Sequence, residues 1–170
     1  MVRLTVGELV VRPWSPTDLD AVWTALQDPA IRRWNGSGAR SRDEAAAWLA
    51  RRSEGDDHVS RAVVDGGGVL LGSVSLHSIH DGEAEIGYWV VPAARGRRVA
   101  PRVVDAVVRW AFAELGLERV QLLHDVANTA SERVAERAGF VLEGRLRRSY
   151  RYGDGVRCDE LIWSRLPDDA

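Results

Sequence analysis

Lysine is missing from this 170-residue chain: the whole basic complement, 23 side chains, is arginine. A codon bias accounts for such an absence, but it has a chemical consequence. Arginine's planar fork suits multidentate contacts with phosphate or carboxylate, and no ε-amine is left for a group-transfer enzyme to modify on itself. Cysteine is nearly missing too. With Cys158 alone there is neither an internal disulfide nor a cysteine-built metal cage, and the four histidines lack ligand-type spacing, so no metal is expected. No apolar run approaches the ~20 residues that span a bilayer. Arg3 and Glu8 interrupt the stretch from Met1 to Val11, which therefore lacks a signal peptide's unbroken apolar segment. The expectation is a cytoplasmic protein without a membrane partner. An excess of one charge is also lacking: the formal net charge is -2 and the arginines are spread along the chain. Sequence-independent attraction to DNA or RNA has no source here, and nucleic acid is not an expected partner.

What is present reads as one domain over residues 1–170, long enough to bury roughly 70% of the surface its unfolded chain exposes. Val10 and Val11 end a short strand. Ser15-Pro16-Thr17-Asp18 has helix-start chemistry ahead of Leu19, Val22, Trp23 and Leu26, and Pro29 is expected to break that helix. A polar turn from Asn35 to Gly38 leads to a second helix capped by Ser41, with Ala45, Trp48 and Leu49 on its buried face. The period then changes to two: strands at about Val59 to Asp65, Val69 to Ile79 and Ala84 to Val91 form an antiparallel meander through Gly66-Gly67-Gly68 and Asp81-Gly82 turns. After Pro92, Ala100, Val103, Val104, Val107, Ala111 and Leu115 make a helical stripe that Gly116 closes. A buried strand at Val120 to His124, a short helix from Thr129 to Ala138, and strands near Val141 to Tyr150 and Val156 to Arg165 complete an α/β (α+β) pattern. It is a mixed sheet flanked by helices, with the strands around the long helix free to pair in parallel.

Two segments carry chemistry. Arg95-Gly96-Arg97-Arg98-Val99-Ala100 lies between a strand and the longest helix, where unpaired N–H groups and the dipole suit a phosphate. Arg97, Arg98 and Arg102 crowd that first turn, where each cation is disfavoured by up to ~1 kcal/mol, so an anion is expected to offset them; a solvated arginine cluster is the alternative. Asn128-Thr129-Ala130-Ser131-Glu132 opens the short helix. Thr129 and Glu132 have capping-box spacing, which leaves Asn128 and Ser131 unused and puts the Ser131 hydroxyl in the first turn.

In this order, and followed by Ala138-Gly139-Phe140, these segments resemble the GNAT superfamily of acyl-CoA-dependent N-acyltransferases. The closer resemblance is to its branch named for ribosomal-protein alanine N-acetyltransferases. Leu9 to Trp14, Asp28 to Trp34 and Glu85-Ile86-Gly87-Tyr88-Trp89 look like further parts of that family. The resemblance implies a GNAT fold with about seven strands and a V-shaped splay between strands 4 and 5. It also implies acetyl-CoA as cosubstrate without a metal, and direct transfer in a ternary complex to a primary amine, on a peptide N-terminus or a small molecule. By the same resemblance Arg95, Gly96, Arg97, Arg98, Val99 and Ala100 match the pyrophosphate loop, with Arg98 where the family has glycine and Pro101 removing an N–H just beyond. Arg97, Arg98 or Arg102 would then share the phosphate load.

Trp89, Val90 and Val91 map to the backbone that pairs with the pantetheine arm, Asn128 to a cofactor contact, and Ser131 to the group near the CoA sulfur. Glu85 is the implied base, from its distance to the phosphate loop; it would serve an α-amine, about a tenth neutral at pH 7, more easily than a lysine. Trp34, beside the glycine-rich turn, is expected to line the acceptor groove, with Tyr150 and Tyr152 as substrate-side donors. His124 reads either as a hydrogen-bonded core residue or as a base at its strand end. A catalytically silent acyl-CoA sensor is the alternative function, and a homodimer is left open. A nucleotide-binding protein fits less well, since neither a Gly-x-Gly-x-x-Gly turn nor a lysine-bearing phosphate loop is present.

Overall fold

The computed structural model describes residues 3–35, 38–53 and 58–169. Met1 and Val2 of the opening stretch, and Gly36 and Ser37 of the expected turn, lie outside them. Strands β1 (Leu4–Val6) and β2 (Leu9–Arg12) pair antiparallel about Gly7, whose φ of 62° is one that side chains resist. Ser15 and Asp18 form a reciprocal capping box, with Ser15 N donating to Asp18 Oδ2 at 2.8 Å, ahead of helix α1 (Leu19–Ala25). Pro29 opens a helix rather than closing one. α1 stops at Ala25, and α2 (Pro29–Asn35) starts where proline's missing N–H is no loss, with Asp28 Oδ1 accepting from Ile31 N at 3.0 Å. Ser41 caps α3 (Arg42–Ser53) by accepting from Glu44 N at 3.2 Å.

The meander follows as β3 (Val59–Asp65), β4 (Leu70–His80) and β5 (Glu83–Val90). Asp81 and Gly82 take φ of 47° and 75°, the two positive angles of the tight turn whose twist matches its strands. Helix α4 (Val99–Leu115) ends on left-handed Gly116 and leads through β6 (Arg119–Asp125) and α5 (Thr129–Arg137) to the hairpin β7 (Val141–Arg151) and β8 (Arg157–Arg165).

Among the described residues one mixed sheet of eight strands runs β1-β2-β3-β4-β5-β6-β8-β7. β1 is the strand beyond the seven expected. β5 and β6 pair in parallel through the α4 crossover, and β8 inserts between β6 and β7. That parallel pairing covers only Glu83 to Glu85 against Arg119 to Gln121; beyond it the strands part, which is the expected splay. Each sheet face has its own core. Val103, Val104, Val107 and Val108 of α4 cover Leu76, Ile86, Val120 and Leu122, while Val22, Leu26, Ile31 and Trp48 cover Val10, Val64 and Trp89 on the other face. Period-two alternation along β5 therefore sends Ala84, Ile86, Tyr88 and Val90 toward α4, and Glu83, Glu85, Gly87 and Trp89 toward α1 to α3. No helix among the described residues is long and apolar enough to cross a membrane.

Candidate active site

A cleft of about 810 Å³ runs through the splay, lined on one side by the start of α4 and by α5, and on the other by α2, β5 and the final hairpin. Because β5 beyond Glu85 has no β6 partner, its backbone is open to the cleft at Trp89 and Val90, with Val91 just outside the strand.

The loop before α4 has one unusual joint. Gly96 and Arg98 have φ of 78° and 56°. Arg98 is the residue immediately before α4, in left-handed geometry that costs a non-glycine residue roughly 1–2 kcal/mol. Val99 is buried and anchors the helix, while Gly96, Arg97 and Arg98 are exposed, and neither Arg97 nor Arg98 has an ion pair among the described residues. Gly96, Arg98, Val99, Ala100 and Pro101 line the cleft. Two arginines are committed elsewhere. The Arg95 guanidinium pairs with Asp28 and donates from Nε to Val90 O at 3.2 Å, tying the loop to the start of α2. Arg102 turns away from the loop to Glu8, at 2.7 and 2.9 Å, and to Val6 O at 3.0 Å, so the expectation that it shares a phosphate load is corrected.

The second polar segment also differs from its expected form. Asn128, not Thr129, caps α5: its Oδ1 accepts from Ser131 N at 3.2 Å. Asp125, closing β6, accepts Ala127 N at 2.7 Å through its carboxylate and Asn128 N at 2.8 Å through its carbonyl, which sets where the helix begins. The cap leaves the Ser131 hydroxyl free to meet the Tyr88 hydroxyl at 2.7 Å. Sequence reasoning gave Tyr88 no role. The available signal was its place in the α4-facing set of β5, where a buried phenol must find a partner. Burial holds the Tyr88 hydroxyl well above its ordinary pKa, the Ser131 hydrogen bond opposing the shift, so it stays a neutral donor.

Across the cleft, on the other face of β5, sits Glu85. Burial raises its carboxyl from the ordinary value to about 7, with the charge of Glu160 adding to the shift. His77 Nε2 lies 3.7 Å from Glu85 Oε1, but burial, reinforced by the charge of Arg52 and by His58 nearby, holds this imidazole below its ordinary pKa and toward its neutral form. Glu160 is the second residue that sequence reasoning missed. It is buried on β8, accepting from Tyr152 OH at 2.8 Å and Ser149 Oγ at 2.7 Å. No local pattern announces it, because β8 reaches β6 only by inserting inside the last hairpin.

Trp34, Tyr150 and Tyr152 wall this side as a chain of edge contacts, with centroids 5.9 Å apart for Trp34 and Tyr152 and 4.8 Å for Tyr150 and Tyr152. The hairpin loop is moored to α2 by Gly153 N donating to Arg33 O at 3.1 Å. His124 lines the cleft but has no free ring nitrogen. Trp163 Nε1 donates to its Nε2 at 3.1 Å, which assigns the remaining proton to Nδ1, 2.8 Å from Asp125 O. Its ring is therefore a satisfied core group and a poor base or substrate donor.

The profile of a family described as "Acetyltransferase (GNAT) domain" matches residues 8–141. The chain is 36% identical over 101 residues to the putative ribosomal N-acetyltransferase YdaF of Bacillus subtilis, an alignment covering 58% of this chain and 55% of that protein. Against the uncharacterized N-acetyltransferase YoaA of the same organism, identity is 26% over 168 residues, covering 95% of this chain and 94% of that one. The structure of spermidine N-acetyltransferase from Vibrio cholerae in complex with CoA and spermine superposes with a TM-score of 0.84 at 22% identity, over 95% of this chain and 97% of that one, a likeness of fold.

Proposed function

The chain belongs to the acetyltransferase (GNAT) domain family, and from that premise we propose that it is an N-acetyltransferase moving the acetyl group of acetyl-CoA directly to a primary amine within a ternary complex. Acetyl-CoA is the cosubstrate. The N–H groups of Gly96 to Ala100 and the guanidinium groups of Arg97 and Arg98 receive its diphosphate. The unpaired backbone of Trp89, Val90 and Val91 suits the amide-bearing pantetheine arm, and the Asn128 amide, whose oxygen is held by Ser131 N, keeps its NH₂ for the same arm.

The observation that carries the reading is that one cleft holds a carboxyl poised near neutrality and a hydroxyl pair on opposite sides of the splay. The amine enters between Trp34 and Tyr150, and Glu85 takes its proton. A pKa of about 7 matches an α-amine near 8 better than an unperturbed carboxylate does. The neutral nitrogen attacks the thioester carbonyl, whose oxygen is met by backbone N–H groups of β5. As the C–N bond forms and the C–S bond breaks, the Ser131 hydroxyl, hydrogen-bonded to Tyr88, meets the departing sulfur, and the nitrogen's second proton reaches the thiolate through solvent or through that hydroxyl, which is left protonated. The acceptor is a peptide N-terminus or a small amine, and the reaction runs in the cytoplasm.

The test is thiol release from acetyl-CoA with a panel of peptides and small amines. A silent acyl-CoA sensor predicts thermal stabilisation by acetyl-CoA without thiol release from any acceptor, and that outcome removes the enzymatic reading.

A further inference from the structure

The acceptor half of the cleft has a charge pattern that the transfer reaction itself does not require. Its interior holds two carboxyl groups, Glu85 and Glu160, whereas its outer lip at Tyr150 runs into a strand rich in arginine. Arg147, Arg148, Arg151 and Arg157 are all exposed. β7 leaves regular pairing between Leu146 and Tyr150, with Arg148 at φ 48°, and this irregular stretch ends at Tyr150, which lines the cleft.

The nearby acids are outnumbered: Asp159 pairs with Arg145 at 2.6 Å, accepts from Arg148 N at 2.8 Å and feels the charge of Arg147, and Asp154 pairs with Arg33. Two of the free guanidinium groups are held by backbone carbonyls, which fix position and leave charge intact: Arg151 donates to Gly155 O, and Arg157 donates to Arg148 O at 2.9 Å and Ser149 O at 3.1 Å. A second copy of this strand laid against it would set arginine against arginine, so the pattern does not suit self-association.

Resting on the acetyltransferase reading, we propose that the acceptor is a peptide whose N-terminal amine is followed by acidic residues. The amine enters between the carboxyl groups, and the next residues pass Tyr150 and lie on Arg147, Arg148, Arg151 and Arg157. A cationic head is drawn inward and an acidic tail is held at the lip. A polyamine meets attraction inside and repulsion outside, and a small monoamine gains nothing from the lip.

The experiment compares short peptides sharing one N-terminal residue and followed by acidic, neutral or basic residues, with spermidine as a polycation, by thiol release from acetyl-CoA. The expected order in kcat/KM is acidic over neutral over basic. The acidic advantage over neutral is about tenfold at low salt and shrinks as sodium chloride is added. The double variant Arg147→Glu with Arg148→Glu should invert the order while acetyl-CoA still raises its unfolding temperature. Equal rates, or a preference for the basic peptide or spermidine, overturn this inference and leave the acetyltransferase reading standing. If the variant does not fold, the salt titration of the unaltered protein decides. No thiol release from any acceptor, with acetyl-CoA binding intact, removes the broader reading and this one with it.

Discussion

Tyr88 and Ser131 lie 43 residues apart in the chain, yet their side-chain oxygens are 2.7 Å from each other at the floor of the splay. One comes from the strand that opens the cleft and the other from the first turn of α5, whose cap holds it in place. The pair therefore reports whether β5 and α5 are correctly set against each other.

With the Ser131 hydroxyl in its proposed place at the departing sulfur, Ser131→Ala should lower kcat about 10- to 100-fold with a much smaller change in acetyl-CoA affinity. Tyr88→Phe should lower kcat less, and combining the two should cost little more than Ser131→Ala alone, because the two hydroxyls act as one unit. Steady-state kinetics beside calorimetric acetyl-CoA binding measures both. Full turnover in Ser131→Ala removes the assigned role.

With Glu85 near 7, kcat/KM should rise with pH through that value, as the carboxyl loses the proton that keeps it from accepting another. The Glu160 charge helps to hold that value up, so Glu160→Gln should move the midpoint toward lower pH; Glu85→Gln should abolish the limb. An unchanged profile in Glu85→Gln assigns the base elsewhere.

Arg98→Gly separates stability from binding. Glycine relieves the left-handed strain at φ 56° but gives the unfolded chain more freedom, for a net gain of about 0.5–1 kcal/mol in urea unfolding. Acetyl-CoA affinity should fall on the proposed assignment of the Arg98 guanidinium to the diphosphate. A variant that is both more stable and a tighter binder contradicts the phosphate role of this side chain.

At Gly153 an added Cβ would sit 2.1 Å from Arg32 O, a backbone atom that cannot swing aside. Gly153→Ala should therefore lift the hairpin off α2, destabilise by about 1–3 kcal/mol and raise KM for the acceptor while leaving acetyl-CoA affinity in place. Thermal unfolding and the two separate affinities check it.

Asp28→Ala should cost about 1–2 kcal/mol, because one carboxylate both caps α2 and pairs with Arg95. Since Asp28 links the loop before α4 to the helix carrying Trp34, coupling between the proposed acetyl-CoA and acceptor sites should run through it, and this variant should weaken that coupling. Calorimetric titration of acceptor with and without CoA measures that coupling.

Much of this protein was legible from local chemistry. The Ser15–Asp18 capping box, the Ser41 cap, the Asp81-Gly82 turn and the Gly116 stop depend on residues within a few positions of one another, and a linear reading sees them all. The apolar stripe of α4 and the period-two strands did the same for the layers. Thr129 misled because it sits beside Asn128, which makes the cap, and spacing alone does not rank two adjacent candidates; the first helix does end before Pro29, but that a new helix opens on it was missed.

Tertiary structure alone decided which polar side chains meet. Arg95 turns to a residue 67 positions away, Arg102 to one 94 away, and Glu160 reaches the cleft because β8 slips between β6 and β7. Period and turn chemistry are short-range and survive in any order of strands, whereas a buried hydroxyl or carboxyl takes whichever partner the sheet order brings within about 3 Å. The cleft's place and the glycine–arginine loop before α4 were thus written locally; the Tyr88–Ser131 contact, the carboxyl pair and the moored hairpin came from the packing.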